Sequence, residues 1–135
     1  MRAWWEPLLL AAKDRLNDPD QEPLAYFAPN NVRAAMPWPG TWVLAYRSVS
    51  PPRLGVTFRG RSGANIEALR AIADDMPQVK ANLPEGTQYE PGQSLGIEVS
   101  SNDFPDDATR QEWLLDNINS FVNELRPVLS NARKR

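Results

Sequence analysis

The chain has 135 residues, 41% of them hydrophobic and 24% charged, a formal net charge of −2, and neither His nor Cys. That length fits one globular domain over residues 1–135, with a core that needs no disulfide or structural metal. The charge excludes nucleic-acid binding by bulk positive charge alone, and the missing residue types exclude His-based acid–base catalysis, thiol chemistry and zinc sites built on His or Cys.

In chain order, Trp5, Leu8, Leu9, Ala12 and Leu16 recur at helical spacing and predict a first amphipathic helix over Trp4–Leu16. Pro7 falls in its first turn, where a missing N–H costs little. Pro19, Pro23, Pro29, Pro37 and Pro39, with the turn signals Asn30-Asn31 and Pro39-Gly40, mark residues 17–40 as a Pro-rich segment that is mostly loop. Tyr26, Phe27 and Trp38 are expected to tuck it onto the core. Two strands follow, Thr41–Ser48 and Arg53–Arg59, and Val49-Ser50-Pro51-Pro52 between them is short enough for an antiparallel hairpin. Leu54, Val56 and Phe58 alternate with Gly55, Thr57 and Arg59, the pattern of a strand with one buried and one solvated face. Trp42, Leu44 and Tyr46 are the expected apolar partners of the buried set.

At Ser62 the period changes. Ile66, Leu69, Ile72 and Met76 follow a helical repeat, with Ser62 as the expected N-cap and Pro77 as the stop. Leu95, Ile97 and Val99 alternate with Gly96, Glu98 and Ser100 as a further strand, and Thr87–Glu90 offers a fourth. The acidic stretch from Asn102 to Asp107 opens a last helix, Asp106–Leu129, with an apolar stripe of Leu114, Ile118, Phe121 and Leu125 widened by Trp113 and Val122. Pro127 is expected to kink or restart that helix, and residues 130–135, ending Arg133-Lys134-Arg135, to fray as a basic tail. These elements describe an α+β fold: an antiparallel sheet of three to five strands with three helices packed mainly on one face.

The segment Arg59-Gly60-Arg61-Ser62-Gly63 links a strand to a helix N-terminus. Two guanidinium groups beside exposed N–H groups suit an anion. Arg53, Arg59, Arg61, Ser62, Gly63 and Arg70 are therefore candidate anion or nucleic-acid contacts, set against the plainer reading of a tight glycine turn with solvated arginines. Trp4, beside Trp5, and Trp38, between two prolines, are the tryptophans expected to face a partner; Trp5, Trp42 and Trp113 sit on apolar faces and read as core. Lys13, Lys80 and Lys134 are the only lysines and none follows an acid by two residues, which argues against a metal-dependent nuclease centre. The stretch Asp18-Pro19-Asp20 fails as a calcium loop because Pro23 and Pro29 occupy the positions of its glycine and closing glutamate. Asp74-Asp75 and Asp106-Asp107 read as surface charge or helix caps, and no catalytic residue, metal ligand or cofactor is assigned.

Glu6 and Pro7 interrupt the apolar N-terminal stretch before it reaches the length of a secretory core. No apolar run approaches the roughly 20 residues needed to span a bilayer. With no cysteine, a reducing compartment is the expectation, hence a cytoplasmic protein without a membrane partner.

Trp4-Trp5-Glu6-Pro7-Leu8-Leu9, the hairpin from Leu44 to Phe58, the helix from Ile66 to Met76, and Trp113 followed by Phe121, Leu125 and Pro127 together resemble the bacterial domain-of-unknown-function family 4268. The family occurs alone or fused to restriction-endonuclease-like domains. The resemblance covers most of the chain and implies an α+β fold and an accessory role in prokaryotic defence or nucleic-acid processing; it carries no catalytic residue over. The Pro-rich stretch from Pro19 to Pro39 departs from the family pattern. The expected function is a non-enzymatic binding or assembly module contacting a protein partner or a nucleic-acid backbone. The alternatives are an enzyme for a phosphorylated or anionic substrate, with a divalent metal on Glu98 and Asp103 or Asp106, and a structural homodimer assembled through the last helix.

Overall fold

The computed structural model of the chain describes residues 2–12, 15, 21 and 24–134. Its elements are α1 (Arg2–Ala12), β1 (Ala25–Ala28), β2 (Asn31–Ala35), β3 (Thr41–Ser48), β4 (Arg53–Gly60), α2 (Ala64–Ala71), α3 (Met76–Asn82), β5 (Gln88–Glu90), β6 (Ser94–Ser100) and α4 (Asp107–Arg133), with a 3-10 turn at Ser101–Asp103 before α4. Six strands form one antiparallel sheet in the order β1-β2-β3-β4-β6-β5. The α+β class is as expected, but six strands replace three to five and four helices replace three.

The additional strands come from the Pro-rich segment. Pro29 and Asn30 make the turn of a β1–β2 hairpin, and Pro37 and Pro39 lie beyond the end of β2, so no proline interrupts its ladder. In β2, Val32 and Ala34 are buried while Asn31 and Arg33 point the other way. The helix expected as one piece from Ser62 to Met76 is two: Pro77 sits at the start of α3, where it needs no hydrogen-bond partner, and opens a helix instead of ending one. Nor is Ser62 the N-cap. Gly63, at φ +80°, holds that position with no side-chain cap bond, and Ser62 itself has φ +54°. At the other end of the chain, α4 runs through Pro127 to Arg133, so the helix does not restart there. Ser130–Arg133 form its last turn and Arg133 Nη1 donates to the Pro37 carbonyl at 2.9 Å, which replaces the frayed tail for those residues; residue 135 and the Leu16 end of the first predicted helix lie outside the described residues.

Pairing decides which side of each strand meets the helices. Val43 faces Phe58 and Ala45 faces Val56 across β3–β4, and Val56 faces Ile97 across β4–β6. These side chains join Val32, Ala34, Leu54 and Leu95 in one buried cluster with Trp5 and Leu8 of α1, Leu69 of α2, Met76 of α3 and Leu114, Ile118, Phe121, Leu125 and Leu129 of α4. Trp42, Leu44 and Tyr46 are instead the neighbours of Arg59, Thr57 and Gly55, on the opposite side. The expected core pairing of those three residues is therefore reversed, because side chains alternate strictly along a strand and Val43 and Ala45 take the buried positions. Trp5 locks α1 over the hairpin, with its ring fully buried and its Nε1 donating to the Pro29 carbonyl at 3.1 Å. Among the described residues no helix is long and apolar enough to cross a membrane.

Candidate functional site

No described helix covers the second face of the sheet. Its side chains are those that alternate with the core: Phe27 of β1, Arg33 of β2, Trp42, Leu44 and Tyr46 of β3, Arg53, Thr57 and Arg59 of β4, and Gly96 and Glu98 of β6. Phe27 is 60% exposed, so it is not tucked onto the core as expected; Tyr26, its neighbour in sequence, points to the opposite face and packs there. The Arg33 guanidinium lies 3.4 Å from the Phe27 ring centre and 4.4 Å from that of Trp42, a cation between two aromatic faces. Burial by those rings and the charge of Arg61 both lower the Arg33 pKa. Among the described residues, buried Arg33 Nε and Trp42 Nε1 have no hydrogen-bond partner.

Arg59 stands directly across from Trp42, and Arg61 follows at the end of β4, where its N–H bonds the Gly40 carbonyl at 2.9 Å. Among the described residues the guanidinium groups of Arg33, Arg59 and Arg61 make no ion pair, whereas Arg53 pairs with Glu98 at 3.5 Å. Beyond Arg59 the face dips into a recess of 280 Å³ walled by Tyr46, Arg59, Gln88 and Glu98. Its floor holds Thr57 and Gly96, and a Cβ at Gly96 would stand 2.9 Å from Thr57 Oγ1, so only glycine leaves the floor this flat. The Tyr46 ring covers Gly55, and its hydroxyl donates to the Glu98 carboxylate. Burial, then the bond to Glu98 and that residue's charge, raise the phenol pKa far above its usual value, so Tyr46 remains a neutral donor.

The structure thus brings Arg53, Arg59 and Arg61 to one face but not all of the expected contacts. Ser62 and Gly63 form the turn after Arg61, and the first helical N–H, that of Ala64, already bonds the Arg61 carbonyl at 3.0 Å. Gly60 is required in this turn because a Cβ there would stand 2.5 Å from the Asn65 nitrogen. Arg70 lies on α2 beside Gly92 of the β5–β6 turn. Trp4 is half-buried: the Arg47 guanidinium sits 4.4 Å from its ring centre, Trp5 meets it edge-on, and its carbonyl accepts from Gln111 Nε2 at 2.7 Å, so it joins α1 to α4. Trp38 packs against the core, and its carbonyl accepts from Thr41 Oγ1 at 2.7 Å. Trp42, read as core, belongs to the open face and is the tryptophan placed for contact there.

Sequence reasoning missed Phe27 and Arg33. The signal for Arg33 was present in the alternation Asn31-Val32-Arg33-Ala34, had residues 31–35 been read as a strand. No group of three or more acidic residues among the described residues could hold a metal ion, and Asp106 is engaged as the α4 cap, its Oδ1 accepting from the Thr109 N–H at 2.8 Å and from the Thr109 hydroxyl. In comparison with known proteins, no family model, no curated protein and no solved structure matches this chain.

Proposed function

We propose that this protein is a non-enzymatic binding module whose open sheet face holds a nucleic acid by its phosphate backbone. The observation that carries the reading is the cluster of Arg33, Arg59 and Arg61, three guanidinium groups with no carboxylate partner among the described residues, beside a sheet face that no described helix covers. Arg2, Arg15 and Arg110 are paired with carboxylates in the Arg2–Glu6, Arg15–Asp116 and Arg110–Asp107 contacts, whereas Arg33, Arg59 and Arg61 gather on one side of the sheet in a chain of net charge −2. Like charges held close raise the energy of the free protein, and an arriving anion relieves that repulsion. Phosphate suits guanidinium because the planar fork donates two parallel N–H bonds to its oxygens. Tyr46 and Glu98, which flank this cluster, are bonded to each other, so neither is poised as an acid or base, which favours binding over chemistry.

Fluorescence anisotropy with labelled oligonucleotides at increasing salt tests the reading. Each phosphate contact contributes about 0.7–0.9 to the slope of log affinity against log salt, so replacing Arg59 and Arg61 together by Ala should flatten it by roughly 1.4–1.8. Circular dichroism should show the variant folded, since both side chains are exposed. An unchanged slope would overturn the proposal.

A further inference from the structure

Resting on that reading, we infer that the ligand is single-stranded and that its bases stack on the aromatic side chains of the open face. Six strands at about 4.8 Å spacing span roughly 24 Å, twice the ~12 Å major groove, so this face cannot enter a duplex to reach base edges. A duplex would offer it phosphates alone. An unpaired strand offers phosphates and bases in alternation, and the face is built in the same alternation. From the β1 edge inward run the Phe27 ring, the Arg33 guanidinium at 3.4 Å, the Trp42 ring a further 4.4 Å from that guanidinium, and then Arg59 as the cross-strand neighbour of Trp42.

The ends of this row are open to a base. Phe27 is 60% exposed on an edge strand, and Arg33 covers one of its faces, which leaves the other to solvent. An exposed phenylalanine gains nothing for the folded core, whereas base–aromatic stacking is favourable for every base and needs no sequence match. Past Arg59 the 280 Å³ recess, floored by Thr57 and Gly96 and walled by Tyr46 and Gln88, accepts a second flat group. Its Gln88 amide supplies a donor and an acceptor, and the Tyr46 oxygen, whose proton goes to Glu98, supplies a further acceptor. Stacking on the rings and phosphate contact with the free arginines then act on one strand together.

The test compares a labelled oligothymidylate of about 12 nucleotides, within the span that single-strand-binding folds cover, with a duplex of the same length. The single strand should bind roughly tenfold or more tightly than the duplex, and Phe27→Ala should weaken single-strand binding roughly tenfold while leaving the salt slope unchanged. Phe27→Tyr, which keeps the ring, should bind as the parent does and guards against a folding defect. Equal affinity for the two ligands with a neutral Phe27→Ala would overturn the stacking inference while leaving the backbone reading intact. No binding of either ligand at low salt would overturn both.

Discussion

Replacing Gly55 by Ala should drive Tyr46 off the open face. Gly55 lies opposite Tyr46 in the β3–β4 register, and a methyl group built there overlaps the Tyr46 ring at its three nearest atoms. The overlap is with the far end of a half-exposed side chain, so the ring moves and the backbone stays. The movement breaks the hydrogen bond to Glu98, a loss of about 1 kcal/mol for partners this solvated. A displaced rotamer adds roughly 0.5–1.5 kcal/mol. Against this, alanine in place of a strand glycine returns about 0.5–1 kcal/mol. The losses win, and Gly55→Ala should destabilise by about 1 kcal/mol, or roughly 3–4 °C in Tm for a chain of this length. In a Tyr46→Ala background those obstacles are gone, and the same substitution should stabilise by roughly 0.5 kcal/mol. Urea unfolding of the parent, both single variants and the double variant measures the coupling. An effect of Gly55→Ala with the same sign and size in both backgrounds would refute the packing of Tyr46 over Gly55.

Three further outcomes follow from the same physical reasoning. Pro127 is exposed inside α4 and denies an N–H to the carbonyl four residues back, so Pro127→Ala should stabilise by about 1–3 kcal/mol, and calorimetry showing no gain would argue against a continuous helix there. Gly63 has φ +80° and open space where a methyl would go; Gly63→Ala should therefore cost roughly 1 kcal/mol from backbone conformation alone, and Gly63→Asn less, with equal losses counting against that cause. The bonds from the Thr109 hydroxyl and N–H hold the Asp106 carboxyl below its usual pKa, so its contribution is complete above the unfolded aspartate value and lost as pH falls through the folded one. The Tm gap between the parent and Asp106→Ala should be widest near neutral pH and close in acid; a gap that persists at low pH would show that the cap acts without its charge.

Much of the fold was legible because it rests on local chemistry. The β3 and β4 spans, the alternation in β6 and the Asp106 start of α4 each follow from periodicity or capping within a few residues. The break at Pro77 was legible as a break but not as a beginning, since proline both ends one helix and suits the first turn of the next. The β1–β2 hairpin was hidden by prolines that bound its strands without entering them. For the site, Arg53, Arg59 and Arg61 could be named from the strand-to-turn pattern, while Phe27, Arg33 and Trp42 could not.

The amino-acid sequence alone determined the class of fold, the helix and strand periods, and the chemistry withheld by the lack of His and Cys. Only the tertiary structure decided which side of β3 is inside. Thr41, Val43 and Ala45 alternate with Trp42, Leu44 and Tyr46, and both sets are apolar enough to be buried. Inter-strand register settles the choice, because pairing Val43 with Phe58 and Ala45 with Val56 puts one set beneath the helices and turns the larger rings outward. The aromatic and arginine surface follows from that choice: its members come from β1, β2, β3 and β4, and only long-range strand pairing brings them to one face.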